Sequence, residues 1–335
     1  MIISQKAKRI LPIPVILLIV ALLLFPAFAN RGKQGTLTRT GFFFDTMIEI
    51  TVYDAGALSE DRRNEVLNGC MELCGRYERL FSRTRKDSDI WRINHAGGSP
   101  VTVDPETSSL ISTALSFADE SDGLVDPAIG TLSELWFPPG GRDTVPTEEE
   151  IREALLHTDR NSVIVSGSTV TLKDPETMID LGFIAKGYVA DRLKEYLESE
   201  GIKGALINLG GNILVTGKKP DNSPFRIGIR DPENKDGAPL ESISITAGSV
   251  VSSGNYERYF EKDGIRYHHL LSVRTGYPAE TGLSQVTVHT ASSTEADALS
   301  TICFLLGFED GKKFLSEHYP EASVIFTDGN GKILR

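Results

Sequence analysis

The sequence predicts an α+β fold in which helices flank mixed or antiparallel sheets. Helix-type and strand-type segments follow one another in mixed order, whereas a doubly wound sheet requires strands and helices to alternate regularly. Residues 205–273 are mainly strand-like. The 335 residues are 40% hydrophobic and 24% charged, which is typical of a globular protein. That length suffices for one large domain or two closely packed lobes.

The first half of the chain begins with a predicted strand and continues mainly with helices. Residues 42–53 carry the β-branched and aromatic alternation of a strand. Residues 61–81 place apolar side chains on one helical stripe, and residues 105–121 predict a second helix in the same way. Thr147 and Glu150 have the spacing of a capping box and predict the start of a further helix.

The second half of the chain mixes strands and helices. Residues 163–172 predict a hairpin, and a strand that ends at Gly182 leads into a helix. The closing elements are a strand at residues 285–290, a helix from Thr294, a helix at residues 310–318 and a final hairpin through residues 328–331.

The N-terminus has the composition of an export signal. Basic residues precede an uncharged apolar run at residues 10–29, which ends in the small-x-small pattern Ala-Phe-Ala. The run also approaches the roughly 20 residues that span a bilayer. Residues 1–29 therefore predict a secretory signal or an uncleaved anchor, with the body exported to the periplasm or the outer face of the cytoplasmic membrane. A linker at residues 30–40 then precedes the functional domain at residues 41–335.

Charge and cysteine content exclude several classes of protein. A net charge of -11 argues against nucleic acid as a partner, because its binding depends on Lys and Arg contacts to phosphate. An acidic protein that binds an anion needs a local cation or a metal ion. Cys70 and Cys74 lie one helical turn apart, which rarely permits a disulfide and makes a poor zinc site. We expect both in the core.

Residues 268–301 are the most informative stretch of the sequence. Asp297 and Thr301 are four residues apart, so a helix places their carboxylate and hydroxyl on one face. Such a pair suits a hard cation, which prefers oxygen ligands. Two simpler interpretations stay open. Asp297 can complete a capping box with Thr294, and Thr301 can bond to a carbonyl one turn earlier.

Three other segments suggest ligand contacts. Asp180 ends a strand and Lys186 opens the next helix, where free N–H groups bind anions; the alternative is a solvated lysine. His268 and His269 lie on a strand and face opposite ways, and a histidine is a natural general base. The Gly-Gly-Asn sequence ending at Asn212 lacks dinucleotide-binding spacing and predicts a tight turn or a close approach to a ligand.

Several ordered motifs resemble the FAD:protein FMN transferase (ApbE) family. The resemblance runs from about Phe42 to near the C-terminus. It implies an α+β fold of two lobes with the flavin nucleotide in the cleft between them. The matching motifs are FSRTRKDSDIWRIN (81–94), GLVDPAIG (123–130), DLGFIAKGYVAD (180–191), LINLGGNI (206–213), SSGNYERYF (252–260), RYHHLL with RTGYP (266–278) and ADALST (296–301).

The resemblance also implies roles for individual residues. Asp297 and Thr301 resemble side-chain ligands of Mg²⁺, with the backbone oxygen of Ala185 as a third ligand. His269 matches the catalytic histidine of the family, and Lys186 assists catalysis. The implied contacts to FAD are Phe44 against the flavin, Leu124, Val125, Asp126, Asp180, Lys186, Leu271 and Arg274.

The implied reaction is Mg²⁺-dependent transfer of FMN from the substrate FAD to a threonine hydroxyl of an exported or membrane flavoprotein, with release of AMP. An FAD pyrophosphatase that gives FMN and AMP and a non-catalytic flavin-binding or flavin-supply protein are the alternatives. The sequence departs from the family pattern in two places. Ser272 and Val273 replace the usual Asp-Pro before Arg274, and Phe-Asp-Thr at residues 44–46 replaces Met-Gly-Thr.

Overall fold

The main sheet of the protein has eight antiparallel strands, and the computed structural model describes residues 35–232, 234 and 237–335. The strands are β1 (Leu37–Phe43), β2 (Thr46–Asp54), β3 (Val101–Thr102), β4 (Val163–Ser166), β5 (Thr169–Leu172), β6 (Gly204–Leu209), β7 (Asn212–Gly217), β8 (Phe225–Ile229), β9 (Glu241–Ile245), β10 (Gly248–Gly254), β11 (Tyr259–Lys262), β12 (Ile265–His268), β13 (Leu283–Thr290), β14 (Ser323–Asp328) and β15 (Ile333–Leu334). The helices are α1 (Glu60–Phe81), α2 (Asp89–Asn94), α3 (Pro105–Glu120), α4 (Gly130–Trp136), α5 (Glu148–Leu156), α6 (Ala185–Ser199), α7 (Ser293–Leu306) and α8 (Phe308–His318).

The strand order of the main sheet is β1-β2-β6-β7-β10-β13-β14-β15, so strands distant in sequence become neighbours. Smaller sheets have the order β3-β5-β4 and the pairs β8-β9 and β11-β12. The turn between β6 and β7 contains Gly210 and Gly211, both with left-handed φ angles of 64° and 93°. Of the two interpretations of the Gly-Gly-Asn sequence, the tight turn is therefore confirmed.

Helices α1, α6 and α7 form a layer on the main sheet, with α6 in contact with both of the others. Both faces of the sheet are covered, as two successive residues of β7 show. Leu214 belongs to the buried cluster that these helices share with the sheet. Val215 points to the opposite face and packs with Phe225 and Ile227 of β8. The layer matters for function because it brings the start of α6 against α7.

Most sequence-predicted elements are confirmed, but the strand predicted to end at Gly182 is wrong, because that segment makes only an isolated bridge between Met178 and Ile129. The predicted helices at residues 61–81 and 105–121 correspond to α1 and α3, and the hairpin at residues 163–172 corresponds to β4 and β5. The Thr147–Glu150 capping box opens α5 with both of its hydrogen bonds present. Cys70 and Cys74 are unpaired and fully buried in the core, as expected from their place on the apolar stripe of α1.

Two predicted boundaries near the start of the domain are wrong. Residues 42–53 are not one strand, because Phe44 and Asp45 adopt left-handed φ angles of 53° and 57° and form the turn between β1 and β2. The linker predicted at residues 30–40 ends early, since β1 begins at Leu37 and pairs with β2. The alternating pattern continues on both sides of this turn, so the pattern alone does not show where one strand ends and the next begins.

Leu37–Arg335 form one compact unit, and the division into two lobes stays a prediction. The predicted signal or anchor at residues 1–29 lies outside the described residues. Across residues 35–232, 234 and 237–335, none of the helices combines the length and the apolar character required to cross a bilayer.

Candidate active site

The start of α6 meets α7 at the predicted acid. Asp297 accepts a hydrogen bond at Oδ2 from the backbone N–H of Gly187, with the two atoms 2.8 Å apart. Helix α6 has no side-chain cap at Ile184, so this carboxylate caps it from the neighbouring helix. The approach depends on the missing side chain of Gly187, because an added Cβ would lie 2.3 Å from the carbonyl oxygen of Ser293.

The alternative interpretation of Asp297, a capping box with Thr294, is wrong. Helix α7 begins at Ser293, one residue before the predicted start, and its cap is Ser292. The Ser292 hydroxyl accepts from the backbone N–H of Glu295 at 3.3 Å. Asp297 therefore lies beyond the free N–H groups of its own helix and is available to a different one.

Asp297 is a buried carboxylate, 3% exposed, without an ion pair to any described residue. Burial raises the pKa of its carboxyl group, and the positive charge of Lys186 and the hydrogen bond from Gly187 partly oppose this increase. A buried carboxylate normally has a cation or several donors as partners. The site therefore suits a bound cation.

Thr301 lies one turn after Asp297 on the same buried face of α7. Its Oγ1 is 3.1 Å from the hydroxyl oxygen of Ser253. Its contact with the carbonyl oxygen of Asp297 is 3.4 Å long, so the back-bonding alternative is met only by a weak bond. Ala185, the third predicted ligand, is buried at the first position of α6, two residues before Gly187.

The predicted ligands lie on two helices that meet: Asp297 and Thr301 share one face of α7, and Asp297 contacts the start of α6, where Ala185 is the first residue. They are a carboxylate, a hydroxyl and a backbone carbonyl, a set of oxygen donors that suits a hard cation. No group of three or more His, Cys, Asp or Glu side chains able to hold a metal occurs in the described part of the chain. A metal ion bound here would therefore need the hydroxyl and the backbone carbonyl as ligands in addition to the carboxylate.

Lys186 and His269 lie in the same electrostatic environment. Lys186 is half-buried, and its positive charge acts on both Asp297 and His269. His269 is also half-buried, and its Nδ1 lies 3.3 Å from the carbonyl oxygen of Arg258. A carbonyl only accepts, so Nδ1 carries the proton and Nε2 is a free base. Burial and the positive charges of Lys186 and Arg258 lower the pKa of His269 and keep the ring neutral.

His268 faces the other way, as the strand pattern predicted. Its Nε2 lies 3.2 Å from the carbonyl oxygen of Ala279, and its ring packs edge-on against Phe304. The residue is buried, and burial lowers the pKa of its imidazole to about 4. His268 is thus a neutral core residue, whereas His269 is the candidate general base.

Asp180 and Phe44 are held by groups that the motifs did not single out. The Asp180 carboxylate accepts from the N–H of Gly182 at 2.8 Å and pairs with Nε of Arg83 at 3.3 Å. The N–H of Phe44 donates to Oε1 of Glu78 at 2.7 Å, which fixes the turn between β1 and β2. Both predicted FAD contacts therefore lie on anchored segments, and their role in binding stays a prediction.

The other predicted FAD contacts divide into two groups. Leu124 and Arg274 line a cavity of about 430 Å³, to which Lys186, Asp297 and His269 do not contribute. The side chains of the second group are already engaged in the fold. Val125 and Leu271 are buried in hydrophobic clusters, and the Asp126 carboxylate accepts from the N–H groups of Ala128 at 2.7 Å and Arg160 at 3.1 Å. Any ligand contact of the second group would use the main chain.

Three residues around the junction were not predicted individually. Arg258 holds His269 through its carbonyl oxygen, which accepts from the His269 N–H at 3.0 Å. The Arg258 guanidinium pairs with Asp45 at 3.1 Å. The side chain of Asn212 helps to lower the pKa of Asp297, and Asp191 contacts the start of α7. Each lies in a motif of the sequence, but motif membership alone does not indicate which side chain it contacts.

The antiparallel α+β fold and an oxygen-donor junction beside a lysine and a neutral histidine define a class of enzyme that handles phosphorylated ligands. Comparison with known proteins gives the family. The sequence matches the ApbE family over residues 44–326, and the chain belongs to that family.

Relatives and solved structures support the same assignment. The FAD:protein FMN transferase of Treponema pallidum is 34% identical over 313 residues, which cover 89% of this chain and 86% of the relative. A protein of the same name from Klebsiella pneumoniae is 39% identical over 266 residues, with 78% and 82% covered. The structure of an ApbE protein from Thermotoga maritima superposes with a TM-score of 0.82 at 35% identity and covers 90% of this chain and 97% of its own. The flavin transferase ApbE of Vibrio cholerae has a TM-score of 0.80 at 26% identity, with 90% and 96% covered.

Proposed function

We propose that the protein is an FAD:protein FMN transferase, which moves FMN from FAD to a threonine hydroxyl of an acceptor protein and releases AMP. Membership of the ApbE family and relatives of that name, matched over most of their length, support this function. The observation in the structure that carries it is the contact between Asp297 and Gly187, because it joins the candidate metal ligands to the anion-binding start of α6.

We infer that the junction holds Mg²⁺ through the Asp297 carboxylate, the Thr301 hydroxyl and the Ala185 carbonyl. The buried Asp297 carboxylate without an ion pair to a described residue supports this assignment, since a cation would offset its desolvation. When bound, Mg²⁺ neutralises the diphosphate of FAD and the charge that develops on the departing AMP. The net charge of -11 favours such local neutralisation, because the rest of the protein supplies no excess of positive charge.

The residues of the chain have separate tasks in the transfer. Lys186 and the N–H groups at the start of α6 bind phosphate oxygens. Nε2 of His269 accepts the proton of the threonine hydroxyl, for which its neutral state prepares it. The threonine oxygen forms a bond to the phosphorus of the FMN half, the bond from that same phosphorus to the bridging anhydride oxygen breaks, and AMP leaves with the bridging oxygen and its electron pair.

The acceptor is an exported or membrane flavoprotein in this proposal. The support is the charge and hydropathy pattern of residues 1–29, which predicts a secretory signal or an anchor. The transferase would then act at the outer face of the cytoplasmic membrane or in the periplasm, where FAD and its acceptor must both be present.

The test is incubation of the protein with FAD, Mg²⁺ and a threonine-containing acceptor, followed by mass measurement of the acceptor and analysis of the free nucleotides. Covalent FMN on threonine together with released AMP is the expected result. Free FMN with an unmodified acceptor would instead identify an FAD pyrophosphatase, and intact FAD would identify a binding protein. An acceptor whose target threonine is replaced by alanine is the matched control.

A further inference from the structure

Helices α6 and α7 each have an N-terminus that is capped by a carboxylate of the other helix. Asp297 of α7 caps the start of α6 through Gly187, at 2.8 Å. In return, Asp191 of α6 accepts from the backbone N–H groups of Ser293 and Thr294 at the start of α7, both at 2.9 Å. The order of these contacts shows that the helices are antiparallel. Each helix therefore supplies the negative charge that the other favours at its N-terminus.

All the side-chain hydrogen bonds found for Asp191 go to the beginning of α7. Besides the two backbone groups, its Oδ2 accepts from the hydroxyl of Ser292 at 2.9 Å and from the hydroxyl of Thr294 at 2.7 Å. Asp191 thus binds the N-cap residue and the first two residues of the helix that carries Asp297 and Thr301. Charge-assisted hydrogen bonds of this kind are stronger than neutral ones and fix direction as well as distance.

The separation of the two helices is set from both sides. The helices cannot move closer together, because Gly187 already lies against the Ser293 carbonyl. A Cβ at Gly187 would be 2.3 Å from that oxygen. The helices are also held from moving apart, because four hydrogen bonds join Asp191 of α6 to the start of α7. Asp297 follows Ser293 by about one helical turn, so this restraint helps to fix its position at Gly187.

We propose that Asp191 is a positioning residue for the divalent cation: it sets the distance between Asp297 and Thr301 on α7 and the Ala185 carbonyl on α6. The inference rests on the proposed function for the identity of the site. It assigns to Asp191 the role that outer-shell partners have at metal sites, where their loss typically lowers metal affinity by roughly 10–100-fold.

The start of α7 has a second support, so a variant of Asp191 should still fold. The hydroxyl of Ser293 donates to Oδ1 of Asn212 at 2.7 Å and accepts from the hydroxyl of Ser249 at 2.8 Å. This buried chain of hydrogen bonds ties α7 to β7 and β10 without Asp191. Loss of Asp191 should therefore loosen the metal junction more than the fold.

The experiment compares Asp191→Asn and Asp191→Ala with the wild type in the full chain. The affinity for Mn²⁺ is measured from the loss of the free-ion EPR signal, with FAD at saturation and no acceptor, and the melting temperature is measured in parallel. We expect the Mn²⁺ Kd to rise about tenfold or more in Asp191→Ala and less in Asp191→Asn. The apparent KM for Mg²⁺ in FMN transfer should rise by the same factor, while kcat at saturating Mg²⁺ stays within about threefold.

Asp104→Ala is the matched control for Asp191→Ala, because Asp104 is a carboxylate cap of α3 that accepts from the N–H of Glu106 at 2.9 Å. It should lower the melting temperature without changing Mn²⁺ affinity. If the Asp191 variants behave like this control, Asp191 is only a helix cap and the inference is overturned. A wild type that binds Mn²⁺ more tightly than the Asp191 variants but never transfers FMN would overturn the proposed function and leave the inference intact.

Discussion

Replacement of Asp297 by asparagine separates its two roles, as a cap of α6 and as a metal ligand. An asparagine oxygen can still accept the hydrogen bond from Gly187, so the capping contact survives. The negative charge is lost, and with it the main attraction for a divalent cation. We therefore expect Asp297→Asn to remain folded and to lose Mg²⁺-dependent FMN transfer.

The expected loss of Mg²⁺-dependent stability can be calculated, because an ion that binds only the folded protein raises the free energy of unfolding by an amount set by its concentration and Kd. Mg²⁺ at 100 times its Kd stabilises the wild type by about 2.7 kcal/mol. At roughly 2 °C per kcal/mol for a domain of this length, the melting temperature rises by about 5 °C. Loss of a charged ligand should weaken binding by at least the roughly 100-fold upper limit for outer-shell groups. The same Mg²⁺ concentration then adds only about 0.4 kcal/mol, or less than about 1 °C.

The assay is thermal unfolding with and without Mg²⁺, together with FMN transfer to the acceptor. Glu295→Gln is the matched control, since it removes a carboxylate from the first turn of the same helix and should keep the Mg²⁺ shift. A shift of several degrees that persists in Asp297→Asn would refute the assignment of this residue as a ligand.

Three further predictions concern neighbouring residues. Gly187→Ala should destabilise the protein by about 1–3 kcal/mol in urea unfolding and reduce the rise in melting temperature with Mg²⁺. The reason is that the new Cβ would lie 2.3 Å from the Ser293 oxygen and 2.8 Å from the Asp297 Cβ. Unchanged stability would contradict this close contact. His269→Gln should slow FMN transfer by roughly 10²–10⁴-fold while FAD still binds, and loss of FAD binding would make this residue a ligand contact instead. In the wild type, kcat/KM should fall at acid pH with a midpoint below 6.5, because the pKa of His269 is lowered. His268 has a pKa of about 4 when folded and 6.5 as its ordinary value, so the unfolded chain takes up the additional proton between these pH values and stability falls as the pH drops. This contribution is at most about 3 kcal/mol, and it should be missing in His268→Gln when urea unfolding at pH 7 is compared with pH 4.5; an equal pH dependence in both proteins would argue against it.

Local patterns predicted the parts of the fold that depend on helical or strand periodicity. The apolar stripe of residues 61–81 gave α1 because burial of one face stabilises a helix wherever it packs. The turn at Phe44 and Asp45 was missed, because neither residue is a glycine and the left-handed φ angles are imposed by the pairing of β1 with β2. Tertiary contacts, here the hydrogen bond from Phe44 to Glu78, stabilise a conformation that the residue types do not indicate.

The sequence by itself determined the family resemblance and the shared helix face of Asp297 and Thr301, since a spacing of four residues is a property of any helix. Only the tertiary structure decided what that face meets. Asp297 caps α6 and not its own helix, and Asp191 caps α7 in return, across 110 and 102 residues of chain. The physical reason is that free N–H groups at a helix start donate hydrogen bonds to any carboxylate that the packing of the chain places beside them. The packing of α6 against α7 depends on their close approach at Gly187, which no local sequence pattern specifies.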